Sequence, residues 1–272
     1  MLNRKIDDLD VSVLGFGTSA FTKNGLNDKS YYDEMLTFET AIERNINVIH
    51  SNRELQTQWA VKLALEKYPQ KNIYNIIKIK LSKEFSETEI LDRINDNIIA
   101  IGSENVIIQL ELSKNTVFEI ADYKTLNDII KNTSLCKYLF IFFANMESEL
   151  KMAIEILNIS AYASKLNFNN CWAVKYFDDL KKIDKSFIAV SPFNRNQLDD
   201  ISNKIIEYVG CDIFKNLNSE NLYPFFLSFC LYHPVVKTVI VSTKTIDHLF
   251  LNLKAIDNFR IFNELVFEKL KG

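Results

Sequence analysis

Short apolar, β-branched runs alternate along this chain with longer stretches whose apolar residues recur at helical spacing. Ile46–Ile49 reads as a strand preceded by a helical stretch, Tyr32–Arg44. Asn75–Leu81 follows a helix at Gln58–Lys67, and Val106–Leu112 follows one at Glu87–Ile101. Tyr138–Phe143 comes after the pattern Tyr123–Lys131, Phe187–Val190 after Phe177–Lys182, and Val239–Val241 after Tyr223–Tyr232. Val11–Leu14 and a weaker segment at Cys171–Val174 bring the strands to about eight. Strands that are continuously apolar, each separated from the next by a helix, predict a parallel sheet covered by helices. A closed (β/α)8 TIM barrel over residues 1–272 is the expected closure, although an open doubly wound sheet has nearly the same signature. No Pro-, Gly- or Ser-rich linker marks a domain boundary.

Composition narrows the picture. Of 272 residues, 47% are hydrophobic and 25% charged, enough apolar material for a substantial core. The formal charge of −3 gives no electrostatic reason to expect nucleic acid or an anionic membrane surface as a partner. No apolar run reaches the length of a membrane span, and the opening residues pass from Met1-Leu2-Asn3-Arg4-Lys5 to Asp7-Asp8 without a signal-peptide-like stretch. Cys136, Cys171, Cys211 and Cys230 are scattered, with no C-x-x-C pair, which suits structural thiols in a reducing cytoplasm better than a zinc site. His233 and His248 likewise have no partners at metal-ligand spacing. In a parallel barrel the loops after the strands gather around one pocket. The residues expected there include His50, Lys80, Glu111, Asn145, Ser191 and the stretch Ser242–Thr245.

Several motifs, in order, resemble the aldo-keto reductases. Val11-Ser12-Val13-Leu14-Gly15-Phe16-Gly17-Thr18 resembles the family's VS-x-LG-x-GT opening. Ala41 to Ile49 resembles A-x-x-x-GINFI, which the family continues with D-T-A. Ser191-Pro192-Phe193 resembles the SPL after the seventh strand. Phe226 to Pro234 resembles the L-x-x-x-L-x-x-P helix, and Val239 to Asn252 resembles VIPGxxxxEQLxEN, the most specific of the set. Each motif alone is weak, and their shared order and spacing carry the resemblance.

That resemblance implies carbonyl reduction with NADP(H). In the family a tyrosine donates the proton, a lysine lowers its pKa, an aspartate pairs with the lysine and a histidine orients the carbonyl. Matched position by position, the aspartate falls on His50 and the histidine on Glu111. The tyrosine falls on Leu55, or on Glu54 if one residue is deleted. The lysine falls on Lys80, with Lys78 as second choice. Loss of a positioned donor removes about 10²–10⁴ in rate, or roughly 3–5 kcal/mol of barrier. A tyrosine from elsewhere, such as Tyr74 or Tyr176, placed beside the lysine would reverse that expectation. For the cofactor, the resemblance assigns Asn145 to the nicotinamide end, Ser191 after the seventh strand to the diphosphate and adenosine ends, Lys244 and Thr245 to the loop near the eighth strand that meets the 2′-phosphate, and Asp247 and Asn252 to the adenine side. Two glycines of the family's phosphate loops are Asn196 and Ser242 here, whose side chains would hinder close backbone approach. NADP binding is therefore expected to be weakened.

Three functional readings follow. The first is a pseudoenzyme that acts as a binding or accessory protein for a small molecule or nucleotide. The second is an active NAD(P)-dependent oxidoreductase with a substituted donor. The third is an isomerase or lyase that uses His50 and Glu111 as acid and base. His50, Lys80 and Glu111 are either a proton-transfer trio or the charge-satisfied rim of a decayed site.

Overall fold

The computed structural model describes residues 1–21, 31–51, 53–113, 116–134, 138–193 and 219–256. The chain opens with an antiparallel hairpin, β1 (Asn3–Ile6) and β2 (Leu9–Ser12), turned through Asp7 at φ 50°. Eight parallel strands then close into a barrel. They are β3 (Leu14–Gly17), β4 (Val48–Ser51), β5 (Tyr74–Leu81), β6 (Val106–Leu112), β7 (Leu139–Phe143), β8 (Ala161–Lys165), β9 (Ser186–Val190) and β10 (Val236–Val241). Among the described residues the outer layer contains α1 (Tyr31–Glu43), α2 (Gln58–Lys67), α3 (Glu87–Ile101), α4 (Ile120–Ser134), α5 (Glu147–Ile156), α6 (Phe177–Lys182) and α7 (Ser219–Tyr232). A last helix, α8, spans 246–256. Closure of the sheet settles the choice between a barrel and an open doubly wound sheet.

Two sequence expectations are corrected. Cys171–Val174 is not a strand: it lies in a short 3-10 turn, and the strand of that unit is β8, some ten residues earlier, after the unanticipated helix α5. Val11 and Ser12 belong to the hairpin, so the first barrel strand starts only at Leu14.

Side chains alternate across each barrel strand, because successive Cβ atoms point to opposite faces. Outward residues such as Phe16, Ile77, Leu110, Phe142, Tyr162 and Phe187 are buried beneath the helices. Inward residues form a separate apolar floor of Val48, Ile76, Ile107, Ile141, Ala161 and Ile188, joined by Ile6 and Val11 of the hairpin. The hairpin thus plugs the N-terminal end of the barrel. Local signals fix the helices: in α3 the Ser86 hydroxyl accepts from the Glu89 N–H at 3.2 Å, Glu87 and Glu89 occupy the positive N-terminal turn, and Gly102 at φ 75° ends it.

Arg4 ties the plug to the barrel. Its guanidinium donates to the carbonyls of Leu231 at 2.8 Å and His233 at 3.2 Å, and to that of Val236. These carbonyls lie between the end of α7 and the start of β10, where helix carbonyls run out of intrahelical donors. Arg4→Ala is expected to lower stability by about 2 kcal/mol in urea unfolding, since charge-assisted bonds to carbonyls that stay buried are lost together. An unchanged unfolding midpoint would show that the plug is held by its apolar contacts alone. No described helix is long and apolar enough to cross a membrane.

Candidate active site

Above the apolar floor, at the C-terminal ends of the strands, the inward positions become polar. Parity places His50 above Val48, Lys78 above Ile76, Gln109 and Glu111 above Ile107, and Lys165 above Ala161 and Ala163. With Asn145 and Ser191 from the following loops they line a cavity of about 610 Å³, large enough for a small organic ligand.

The ionic centre of this cavity is Lys78 and Glu111. Their ammonium and carboxylate are in contact, with side chains only 16% and 5% exposed. The other carboxylate oxygen of Glu111 accepts from the Asn145 side-chain amide at 3.4 Å. Asn145 is held in turn by its backbone N–H, which donates to Glu149 at 2.7 Å. Burial raises the Glu149 carboxyl above its ordinary range. His50 stands beside Lys78. Its pKa falls to about 4, first because the imidazole is desolvated and second because the Lys78 charge opposes a second cation. Its Nε2 is sealed from solvent and has no hydrogen-bond partner among the described residues. The Thr18 hydroxyl, bonded to Thr57 at 2.6 Å, donates to the His50 carbonyl at 3.3 Å and anchors the strand end.

The lysine expected at this centre was Lys80; the structure places Lys78 there instead. Both project from the inner face of β5, but Lys80 stands two residues higher and reaches the rim, where it pairs with Glu54 at 2.7 Å and is 43% exposed. Glu54, one of the two positions matched to the family's tyrosine, is therefore a surface partner of Lys80, which holds its carboxyl below the usual range by hydrogen bonding. The side chain of Leu55, the other match, lies outside the described residues, as does Asn196.

His50, Glu111, Asn145 and Ser191 therefore share one cavity, and Lys244, Thr245 and Asn252 do not line it. Ser191 has φ 55°, and its carbonyl accepts from Asn167 at 2.9 Å. The Lys244 ammonium lies 3.6 Å from the carboxylate of Glu34, a residue only 1% exposed, and the Lys244 carbonyl accepts from Thr37 at 3.1 Å. The Thr245 hydroxyl accepts from the His248 N–H at 3.4 Å, at the start of α8. Asn252 is buried, and its Oδ1 has no hydrogen-bond partner among the described residues.

No tyrosine lines the cavity among the described residues. The Tyr74 hydroxyl accepts from Asn72 at the N-terminal end of β5, and that of Tyr176 donates to Glu147 at 3.0 Å. Among the described residues no cluster of His, Cys, Asp or Glu could hold a metal ion. Sequence reasoning missed Lys165 and Gln109. Gln109 was identifiable by period-two spacing from Glu111, whereas Lys165 was hidden because β8 was not recognised as a strand.

No protein-family model and no curated protein sequence matches the chain. Solved structures do. Aldo-keto reductase AKR11C1 from Bacillus halodurans, in its holo form, superposes with a TM-score of 0.74 at 18% identity, over 98% of this chain and 96% of that one. The thermostable aldo-keto reductase Tm1743, solved with the inhibitor epalrestat, gives 0.73 at 16% identity over 97% and 100%. An aldo/keto reductase from Klebsiella pneumoniae, in complex with NADP and acetate, gives 0.72 at 12% identity over 94% and 92%. The chain has the fold of the aldo-keto reductases.

Proposed function

We propose that this barrel is a divergent aldo-keto-reductase-like protein that holds a small molecule in its mouth and does not carry out standard NADP(H)-dependent carbonyl reduction. The observation that carries this reading is the partner of the mouth lysine. The Lys78 ammonium faces a buried carboxylate, Glu111, at the position matched to the family's histidine, and among the described residues no phenol lines the cavity beside it. A hydride arriving at a carbonyl carbon builds alkoxide charge, and a donor must neutralise it. The family's lysine is also paired with a carboxylate, so what this mouth lacks is the proton-donating phenol between the lysine and the carbonyl. Structural neighbours include an NADP complex, so nucleotide affinity belongs to the proposal. The commitment of Lys244 to Glu34 and the burial of Asn252 argue that this affinity is weak.

Nicotinamide absorbance, followed with NADPH and a panel of aliphatic and aromatic aldehydes, is expected to show no turnover above the protein-free blank. Saturable NADPH oxidation by the purified chain would defeat the reading. One observation favours a second one: His50 is neutral and stands beside Lys78, so an acid–base pair of His50 and Glu111 is available. Should turnover appear, its loss in both His50→Ala and Glu111→Ala would assign it to that pair.

A further inference from the structure

The inference concerns the ligand of that same mouth and rests on the reading of the mouth as a binding site. Among the described residues, the charges lining the cavity do not cancel. Lys78 and Glu111 neutralise one another. Lys165 stands three strands further round the barrel, at the end of β8, and continues the inward face that Ala161 and Ala163 begin. It makes no ion pair among the described residues. The two alanines below it are small and fully buried. Apolar Phe143, Val190 and Ile240 line the same cavity, and the hydroxyls of Ser19 and Ser242, also in its lining, bond each other at 2.8 Å.

We propose that the mouth binds a small organic monocarboxylate, with its carboxylate on Lys165 and its apolar body against Phe143, Val190 and Ile240. One uncompensated cation matches one negative charge. A phosphate dianion would need a second free cation or a nest of backbone N–H groups, and among the described residues the other cation lining the cavity, Lys78, is already held by Glu111. The apolar wall favours an organic acid over a bare inorganic anion, because burying that body contributes affinity that the ion alone lacks.

Isothermal titration of the full chain with 3-phenylpropionate, 3-phenylpropionamide and inorganic phosphate tests this. The acid is expected to bind at least tenfold more tightly than the amide, and Lys165→Gln is expected to abolish that difference. Lys175→Gln, which alters an exposed lysine outside the cavity, should leave it intact. Lys165 is exposed, so its variant should fold, and an unchanged melting temperature verifies this. Equal affinity for acid and amide, acid binding indifferent to Lys165→Gln, binding of phosphate alone, or no binding at millimolar ligand would each overturn the assignment. The aldehyde assay above reads reduction and not carboxylate affinity, so failure of this inference is distinguishable from failure of the functional reading.

Discussion

Replacing Glu111 with leucine is expected to destabilise the protein by about 3 kcal/mol, far more than deletion of a surface ion pair. The reason is the charge left behind. Lys78 is 16% exposed and Glu111 5% exposed, so the single variant strands a largely buried ammonium above an apolar floor without its contact counter-ion. It also removes the acceptor of the Asn145 amide, loosening the loop after β7. The double variant Lys78→Met/Glu111→Leu is expected to recover most of the loss, because neither charge then has to be desolvated. Urea unfolding of the wild type, both single variants and the double variant forms a closed cycle. A strictly additive cycle would mean that the two groups do not interact, and the ionic centre on which the functional reading rests would be gone. Lys80→Met is the contrast: its partner Glu54 is 53% exposed, and the change is expected to cost under about 1 kcal/mol.

The sequence made most of the barrel legible for one reason. In a helix-covered parallel barrel both faces of each strand are buried, so β6 and β7 stand out as apolar runs against their polar surroundings. The exceptions follow from the same physics. β8 reads Ala-Tyr-Ala-Ser-Lys, because its inward positions are small and its end is polar, and it carries little of the β-branched signal that marks other strands. The turn at Trp172–Tyr176 carries bulky apolar residues without extended structure and so mimicked a strand. The hairpin was overlooked although Asp7-Asp8, between alternating residues, is a turn signal. At the site, the residue types were legible but their depth was not. Lys78 and Lys80 share one face of β5, and which of them meets Glu111 depends on barrel tilt and stagger, a property of all eight strands together.

Mild acid is expected to weaken the fold before most carboxylates titrate. Two imidazoles are responsible. His50 in the mouth and His233 after α7, packed against Phe177 and Phe229, both have pKa values lowered from 6.5 to about 4, chiefly by desolvation. Lys78 lowers His50 further, whereas Asp178 partly offsets the shift at His233. In the unfolded chain each ring takes up a proton as pH falls through about 6.5; in the fold each stays neutral until about 4. Between those values the unfolded state binds more protons, so acidification drives unfolding. Each imidazole should contribute roughly 2 kcal/mol of lost stability across that window, after allowance for partial exposure of the rings. Glu149, whose carboxyl is raised by burial, works in the opposite sense, since protonating it in the fold relieves its desolvation. The unfolding free energy from urea titrations is therefore expected to fall by about 3–4 kcal/mol between pH 7.5 and 4.5. His233→Gln should remove about half of that slope, whatever it does to stability at pH 7.5. His50→Gln should remove the other half, and with it any pH dependence of ligand binding that arises from charging the ring beside Lys78. A flat profile from pH 7.5 to 4.5 would mean that both rings are already solvated in the fold, and His50 would then be an ordinary rim residue rather than a neutral group held in the mouth.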